Sequence, residues 1–235
     1  MGTVYVTQDD AFIGKVDERL TVKFEKKNIL DVPLIKVKAL VIMGRASISP
    51  AAISELLKSK ISLSFLTAYG KYIACLEPEM GKNIYLRNAQ WKVAGESPQA
   101  IHLTKDFVRG KLKNYRYSLL KSQRMRSEID LNNGLNQLHT TIKSLETANT
   151  IDSIRGYEGA GSAAYFGCFD KLIMNENFSF KIRNRRPPLD PVNSLLSLGY
   201  SLLRHDIQSA INIVGFDPYL GYLHTQRYGR PSLAL

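Results

Sequence analysis

Features that mark membrane-spanning or secreted proteins are missing from this sequence. Its 235 residues include no hydrophobic run as long as a membrane span, and the first residues, MGTVYVTQDDAF, lack the basic and apolar regions of a secretory signal. The only two cysteines, Cys75 and Cys168, lie far apart in unlike contexts, which favours reduced thiols in a hydrophobic core over a disulfide framework. We therefore expect a cytoplasmic protein without membrane attachment.

Several common catalytic and metal-binding motifs are also missing. The sequence contains no Walker A loop, no G-x-S-x-G elbow and no paired-cysteine zinc site. It therefore carries no signature of a P-loop nucleotidase, of a serine hydrolase with a nucleophile elbow, or of a zinc finger.

Acidic residues are scarce relative to basic ones. The chain has 32 Lys and Arg against 21 Asp and Glu, which gives a net charge of +11 and a pI near 9.6. Such an excess favours a polyanionic partner, most often nucleic acid and less often an acidic membrane surface. A surface that is basic only for solubility is the alternative.

Six short runs in the first third of the sequence are rich in Val, Ile, Phe, Tyr and Thr, as β-strands are. The runs are TVYVT, AFIGKV, LTVKF, IKVKALVIM, ISLSFLT and KYIACLE. The segment SPAAISELLKSK interrupts them with helix-start signals, since Ser49 can act as the N-cap and Pro50 takes the first helical position. We therefore predict a β-rich domain over residues 1–80.

The hydrophobic spacing changes beyond the segment EPEMGKN, where Pro and Gly end the strand pattern. Apolar residues then recur at steps of three and four, which is typical of helices with one buried face. The predicted helices cover Ala100–Arg126, Leu131–Leu145, Ser194–Val214 with Gly215 as its C′ residue, and a segment around Glu158 with Asp152 as its N-cap. The predicted fold class is α+β, with the β-rich domain followed by an all-α domain over residues 81–235.

Two basic clusters are candidate phosphate contacts. In the first predicted helix, Arg109, Lys113 and Arg116 follow an i, i+4, i+7 spacing and share one face, with few acidic partners nearby in sequence. The segment KIRNRRPPLDP adds Arg185 and Arg186 before two prolines, and guanidinium groups match phosphate oxygens well. A solvated helix face and a solvated loop are the alternatives, but the overall charge favours nucleic acid.

Three segments, in this order, resemble the CRISPR-associated protein one family, the endonuclease and integrase that captures and inserts spacers. They are RGYEGAGSAAYF, RNRRPPLDPVNSLLSLGYSLL and DPYLGYLHTQRYGRPSLAL, and the resemblance extends over nearly all of the chain. It implies a β domain that mediates dimerisation and a helical catalytic domain. It also implies an asymmetric homodimer that assembles with a small companion adaptation protein, binds duplex and branched DNA, and joins 3′-OH ends to the CRISPR repeat.

The resemblance also assigns roles to residues of the helical domain. It implies that Glu158 and His224 are metal ligands, that Asn193 shapes the site and that Tyr165 lines it near DNA, all four as parts of the catalytic site. Arg155, Arg186 and Arg227 would be phosphate contacts. One imidazole among oxygen ligands suits Mn²⁺ or Mg²⁺, and such an ion would assist transesterification of a phosphodiester.

The same resemblance gives a reason for the glycines around the glutamate. Each glycine inside a helix costs roughly 1 kcal/mol relative to alanine. Gly156, Gly159 and Gly161 would let another backbone or DNA approach closely beside Glu158, with Tyr165 two turns along the same face.

One departure from the family pattern affects the metal site. The family's third ligand is an acidic residue soon after RPSLAL, and the sequence stops at Leu235. We therefore expect a C-terminally shortened form with an incomplete catalytic domain, a weak metal site and exposed apolar surface. A catalytically inactive DNA-binding scaffold and a basic RNA-binding protein are the alternative functions.

Overall fold

The computed structural model describes residues 2–70, 72–76, 83–95 and 97–235, without the side chain of Tyr72. The described residues form two compact units, one from residues up to 86 together with 205–216, the other from residues 87–204 and 217–235. The predicted domain boundary between residues 80 and 81 lies outside the described residues. Strands dominate the first part of the chain and helices the rest, which confirms the predicted α+β class.

The first unit contains two four-stranded sheets. The strands are β1 Gly2–Val6, β2 Phe12–Val16, β3 Arg19–Phe24, β4 Lys27–Pro33, β5 Val37–Met43, β6 Ser47–Ile48, β7 Ser62–Leu66 and β8 Tyr72–Leu76. One sheet has the order β1-β5-β7-β8, parallel except for β8, and the other has the order β4-β3-β2-β6. Fully buried side chains from both sheets, among them Ile13, Leu20, Leu40 and Leu63, form one core.

All six predicted strand runs contain a strand, but β4 and β6 were not predicted. In β4 the residues are exposed or half-buried, so the sequence KNILDVP shows no clear alternation of apolar and polar positions. Strand β6 has only two residues and carries no pattern of its own. The helix α1 Pro50–Lys58 begins as predicted, since the Ser49 side chain accepts a hydrogen bond of 3.1 Å from the Ala52 amide.

Five further helices follow. They are α2 Ile84–Val93, α3 Pro98–Met125, α4 Asn132–Leu145, α5 Ile151–Gly167 and α6 Pro191–Val214, with short 3₁₀ turns at Leu34–Lys36, Phe169–Leu172 and Ser232–Ala234. Helices α3, α4 and α5 pack around fully buried leucines and Ile154. Helix α2 was not predicted, because only Gln90 is buried among its described side chains and no apolar stripe marks it.

Two predicted helix ends can be compared directly with the structure. Gly215 follows α6 with φ of +101°, the left-handed conformation expected of a C′ glycine. The predicted N-cap of α5 is wrong: Thr150, not Asp152, caps the helix. Thr150 has extended backbone angles, and its hydroxyl accepts a 3.2 Å hydrogen bond from the Ser153 amide, which places Asp152 inside the first turn.

No disulfide joins the two cysteines, as predicted, but only Cys168 belongs to a hydrophobic core, while Cys75 is half-buried. Helix α6 also presents an apolar groove of about 430 Å³, where Leu195 and Leu203 are more than half exposed. Among the described residues, no helix combines the length and hydrophobicity that crossing a bilayer requires.

Candidate active site

Glu158 lies on α5, where small residues allow close packing against α3. A Cβ atom at Gly161 would overlap Leu112 of α3, so this glycine is required for the approach of the two helices. At Gly156 and Gly159 a Cβ atom would meet no described atom within 4 Å. Within the described chain, a leucine side chain approaches Gly161 closely, whereas the predicted approach was by another backbone or by DNA.

The packing of α3 on α5 brings Lys111 to Glu158. The Lys111 ammonium forms an ion pair with Glu158 Oε1, and Ser162 Oγ donates a 3.1 Å hydrogen bond to the same oxygen. Burial raises the pKa of Glu158, but the hydrogen bond and charge of Lys111, the Ser162 hydroxyl and the charge of His224 together bring the pKa below its usual value. Glu158 is therefore ionised at neutral pH.

His224 lies in the segment after α6 and is half-buried. Arg155 holds this segment, because its Nε donates a 2.6 Å hydrogen bond to the Leu223 carbonyl while its Nη1 contacts Asp152. Burial lowers the pKa of His224, as do the charges of Arg230, Lys111 and Arg155, and the charge of Glu158 opposes them. The imidazole is therefore neutral at pH 7, with a lone pair available for a ligand.

Glu158 and His224, the two predicted metal ligands, thus act on each other electrostatically and therefore lie near one another. No cluster of three or more His, Cys, Asp or Glu suited to a metal occurs in the described parts of the chain. One carboxylate and one neutral imidazole fit two positions of a Mn²⁺ ion, which accepts both donor types. The other positions are those that water and substrate phosphate usually fill around such ions.

Tyr165, which is predicted to line the site, is surrounded by aromatic side chains. The Tyr165 ring stacks on Tyr115 of α3 with centroids 4.1 Å apart, and its edges meet Phe166 and Phe169. Burial raises the pKa of Tyr165, Tyr115 and Tyr200, so all three phenols stay protonated at neutral pH. Lys111 Nζ lies 5.6 Å from the centre of the Tyr115 ring.

Asn193 is fully buried at the start of α6. Its Oδ1 accepts hydrogen bonds from Arg183 Nη1 at 2.7 Å and from the Asn184 amide at 3.0 Å. Its Nδ2 donates to the Ile182 carbonyl at 2.9 Å and to Asp190 Oδ2 at 2.6 Å. All four hydrogen-bonding positions of the amide are thus occupied by protein, and the residue fixes the loop that carries Arg185 and Arg186.

The predicted phosphate contacts divide into two groups. The first group contains Lys113, Arg116, Arg185, Arg186 and Arg227. The side chains of these residues make no hydrogen bond or ion pair within the described chain. Arg116 is half-buried and the other four are exposed. The second group is already engaged, because Arg155 holds the His224 segment and Arg109 binds carboxylates.

Arg109 corrects one expectation from the sequence. Its Nε and Nη2 form a two-pronged pair with the Glu146 carboxylate at 2.7 and 2.8 Å, and its Nη1 contacts Asp106. The sequence offers few acidic partners near this helix, but Glu146 approaches Arg109 from the end of α4, 37 residues away in sequence. The guanidinium of Arg109 is therefore occupied by protein.

Sequence reasoning did not assign site roles to Lys111, Tyr115 or Tyr200. The i, i+4 spacing of Lys111 and Tyr115 on α3 could have linked these two residues. Their approach to Glu158 depends on the packing of α3 against α5, which no local pattern reveals.

Comparison with known proteins identifies relatives over the whole chain. The family model described as CRISPR associated protein Cas1 matches residues 4–235. A CRISPR-associated endonuclease Cas1 from Chlorobaculum tepidum is 36% identical over 241 residues, which cover 100% of this chain and 70% of the relative. Another from Thermus thermophilus is 38% identical over 237 residues, covering 100% of this chain and 69% of the relative.

A similar fold occurs in a solved Cas6-RT-Cas1–Cas2 complex. One of its chains matches 99% of this chain with a TM-score of 0.72 and 26% identity, and the match covers 25% of that longer chain. The agreement extends over both compact units and supports the same α+β architecture.

Proposed function

The chain belongs to the Cas1 family of CRISPR-associated proteins, and from this membership we propose that it is a metal-dependent DNA endonuclease and integrase of CRISPR adaptation. The observation that supports the chemistry most directly is that an ionised Glu158 and a neutral His224 lie near enough to act on each other electrostatically. In the proposed reaction, a 3′-OH of captured DNA attacks a phosphodiester of the CRISPR repeat and forms a new P–O bond. The P–O bond to the 3′ oxygen of the cleaved strand breaks, and that oxygen leaves as a new 3′-OH. Hydrolysis would be the same displacement with water as the attacking group.

Phosphodiester exchange needs alignment of the attacking oxygen and stabilisation of charge on the phosphate. A bound Mn²⁺ or Mg²⁺ would polarise the phosphate and lower the pKa of the attacking hydroxyl. Glu158 and His224 would hold that ion, while Lys111 would contribute positive charge beside the reacting phosphate. The aromatic cluster around Tyr165 would shield one side of the site from water.

The DNA strands would lie across the exposed cations. Arg185 and Arg186 stand on a loop that Asn193 fixes, and Arg227 lies three residues beyond His224. We assign these arginines to phosphates that flank the reacting one. We assign Arg155 and Asn193 to positioning, because each holds a loop of the site through its own hydrogen bonds.

The proposed partners are a second copy of the chain and a small Cas2 protein. The homodimer follows from the family resemblance, with the β-rich unit as the dimerisation surface. The solved complex that shares this fold contains a Cas2 component by its name, which supports the second partner.

The test is joining of a labelled duplex with free 3′-OH ends to a repeat-containing DNA in the presence of Mn²⁺. We expect Glu158→Gln and His224→Ala to lower joining by about 100-fold or more, since removing even outer partners of a metal site often costs 10- to 100-fold. DNA binding and dimerisation should persist in both variants. Glu146→Gln is the matched control, because it also removes an ion pair with a cation of α3.

Joining at the wild-type rate by Glu158→Gln would refute the assignment of the site. An equally large fall in joining by Glu146→Gln would show that the loss of any ion pair of α3 is enough to lower joining.

A second candidate function is a DNA-binding scaffold without catalysis. It is favoured by the metal ligands themselves, since the described residues bring together only Glu158 and His224, and Lys111 neutralises the glutamate. A protein that binds duplex DNA but shows no Mn²⁺-dependent signal would support this alternative. Stronger binding of RNA than of duplex or branched DNA at equal salt would instead indicate an RNA-binding protein.

A further inference from the structure

Lys111 forms an ion pair with the carboxylate of Glu158, which the proposed metal site requires as a ligand. Its ammonium pairs with Oε1 of Glu158, and the Glu158 side chain is only 22% exposed. Ser162 shares Oε1, whereas Oε2 accepts no hydrogen bond from the described chain. A cation is therefore already present where a divalent ion would bind.

The charge around the site is positive when Lys111 is included. The charges of Lys111, Arg155 and Arg230 all act on His224, whereas Glu158 opposes them and Asp152 pairs with Arg155. A divalent ion that entered alone would add two positive charges to this set. Because like charges repel more strongly in a half-buried site than in water, entry of the ion alone is disfavoured.

A DNA phosphate would remove that obstacle. It brings negative charge, and an ammonium is a flexible donor that can move from a carboxylate to a phosphate on its four-carbon stem. The Lys111 side chain is 40% exposed, so such a movement does not require unpacking of α3. Glu158 can then bind the divalent ion while Lys111 binds the phosphate.

We propose that Lys111 is the resident counter-ion of Glu158 and that it makes metal binding and DNA binding at this site mutually dependent. In the metal-free protein the ammonium neutralises the carboxylate. When metal and DNA bind, Glu158 turns to the metal and Lys111 to a phosphate. This inference rests on the proposed function, because it assumes that Glu158 is a metal ligand.

Thermodynamic linkage gives the proposal a measurable form. If DNA strengthens metal binding by a certain factor, metal must strengthen DNA binding by the same factor. That factor is the ratio of the Mn²⁺ dissociation constants without and with DNA. Removing the charge of Lys111 should strengthen Mn²⁺ binding in the absence of DNA and reduce the ratio.

The experiment measures Mn²⁺ binding by electron paramagnetic resonance of the free ion, with and without a duplex whose 3′ ends are dideoxy and cannot react. We expect Lys111→Met to tighten Mn²⁺ binding without DNA by about 10-fold. This is the change in binding constant that corresponds to a charge interaction worth about one pKa unit. The ratio should fall by a similar factor relative to wild type. Lys111→Arg keeps the charge and should retain most of the coupling.

Lys113→Met is the matched control, because Lys113 is an exposed cation on the same helix with no contact to Glu158. It should weaken DNA binding and leave DNA-free Mn²⁺ binding as in wild type. Thermal unfolding of each variant establishes that it is folded. The counter-ion proposal is overturned if Lys111→Met matches wild type in both DNA-free Mn²⁺ affinity and ratio.

Glu158→Gln separates this proposal from the proposed function. If Glu158→Gln loses Mn²⁺ binding but Lys111→Met binds Mn²⁺ as wild type does, the metal site is supported and only the proposed role of Lys111 is refuted. Wild-type Mn²⁺ binding in Glu158→Gln, with or without DNA, would overturn the metal site itself and the counter-ion proposal with it.

Discussion

The three glycines around Glu158 have different surroundings although they share one helix. Gly161 is buried against Leu112, and its lack of a side chain sets how closely α3 and α5 approach. Gly156 and Gly159 are exposed and have open space where a side chain would stand. The first therefore contributes to packing, whereas the other two only weaken the helix unless a partner covers them.

This difference predicts opposite effects of one substitution. Gly159→Ala should stabilise the protein by up to about 1 kcal/mol, because alanine favours the helix and meets no neighbour. Gly161→Ala should destabilise it by about 1–3 kcal/mol, the usual cost of overpacking, because Leu112 must shift within a full core. Urea unfolding of both variants measures the two values, and equal effects of the same sign would show that packing does not distinguish these positions.

Gly159→Ala also tests whether DNA approaches this helix surface. If DNA contacts the backbone beside Glu158, the more stable variant should bind duplex DNA less tightly than wild type. Unchanged affinity would show that the exposed glycines do not serve close approach of DNA.

The residues of the site were predictable to different degrees. The motifs carrying Glu158 and His224 are recognisable in the sequence, and in the structure each of these residues shifts the pKa of the other. Lys111 could not be linked to Glu158, because the two lie 47 residues apart and meet only through the packing of two helices. Arg155 and Arg109 were expected to contact phosphate, but a sequence does not show that a neighbouring carbonyl or carboxylate already occupies them.

At the scale of elements, helix α3 connects the site to the rest of the helical unit. Three cations on it have three different surroundings. Arg109 binds Glu146 at the end of α4, Lys111 binds Glu158 on α5, and Lys113 is exposed to solvent. The helix thus combines packing, site chemistry and a candidate DNA surface within two turns.

Arg109 and Lys113 should therefore respond differently to neutralisation. Arg109→Gln should lower stability by about 1 kcal/mol or less, since the pair with Glu146 is partly exposed, and change DNA affinity little. Lys113→Gln should weaken DNA binding several-fold and leave the melting temperature unchanged. Calorimetric melting and fluorescence anisotropy with labelled duplex measure the two effects. The same loss of DNA affinity in both variants would mean that Arg109 leaves Glu146 when DNA binds.

Elements with strong hydrophobic periodicity were predicted, and those without it were not. Helices α3 and α4 each bury one apolar face, and the predicted ranges of α3, α4 and α6 lie close to those observed. Strand β4 and helix α2 form although their sequences lack a clear apolar pattern. Strand β4 pairs with β3, and Gln90 of α2 donates hydrogen bonds to the carbonyls of Asp217 and Leu220. The N-cap of α5 was misplaced by two residues, since threonine and aspartate both cap well and only backbone angles distinguish them.

At the scale of the whole molecule, the net charge of +11 does not show which cations are available to a partner. Arg109, Lys111 and Arg155 are each paired with a carboxylate or a backbone carbonyl. Among the cations assigned to DNA, those without a side-chain partner in the described chain are Lys113, Arg116, Arg185, Arg186 and Arg227. The number of phosphate contacts should follow this set and not the total charge.

The salt dependence of DNA binding measures that number. Each neutralised phosphate lowers the slope of log affinity against log salt concentration by about 0.9, so five contacts predict a slope near −4.5. Arg186→Gln and Arg227→Gln should each make the slope shallower by about 1, whereas Arg109→Gln should leave it unchanged because its guanidinium is held by Glu146. Anisotropy titrations of the wild type and the three variants, from about 50 to 300 mM salt, give these slopes directly. An unchanged slope in the Arg186→Gln, Arg227→Gln double variant would place the DNA on another face of the molecule, and a shallower slope in Arg109→Gln would show that DNA displaces Glu146.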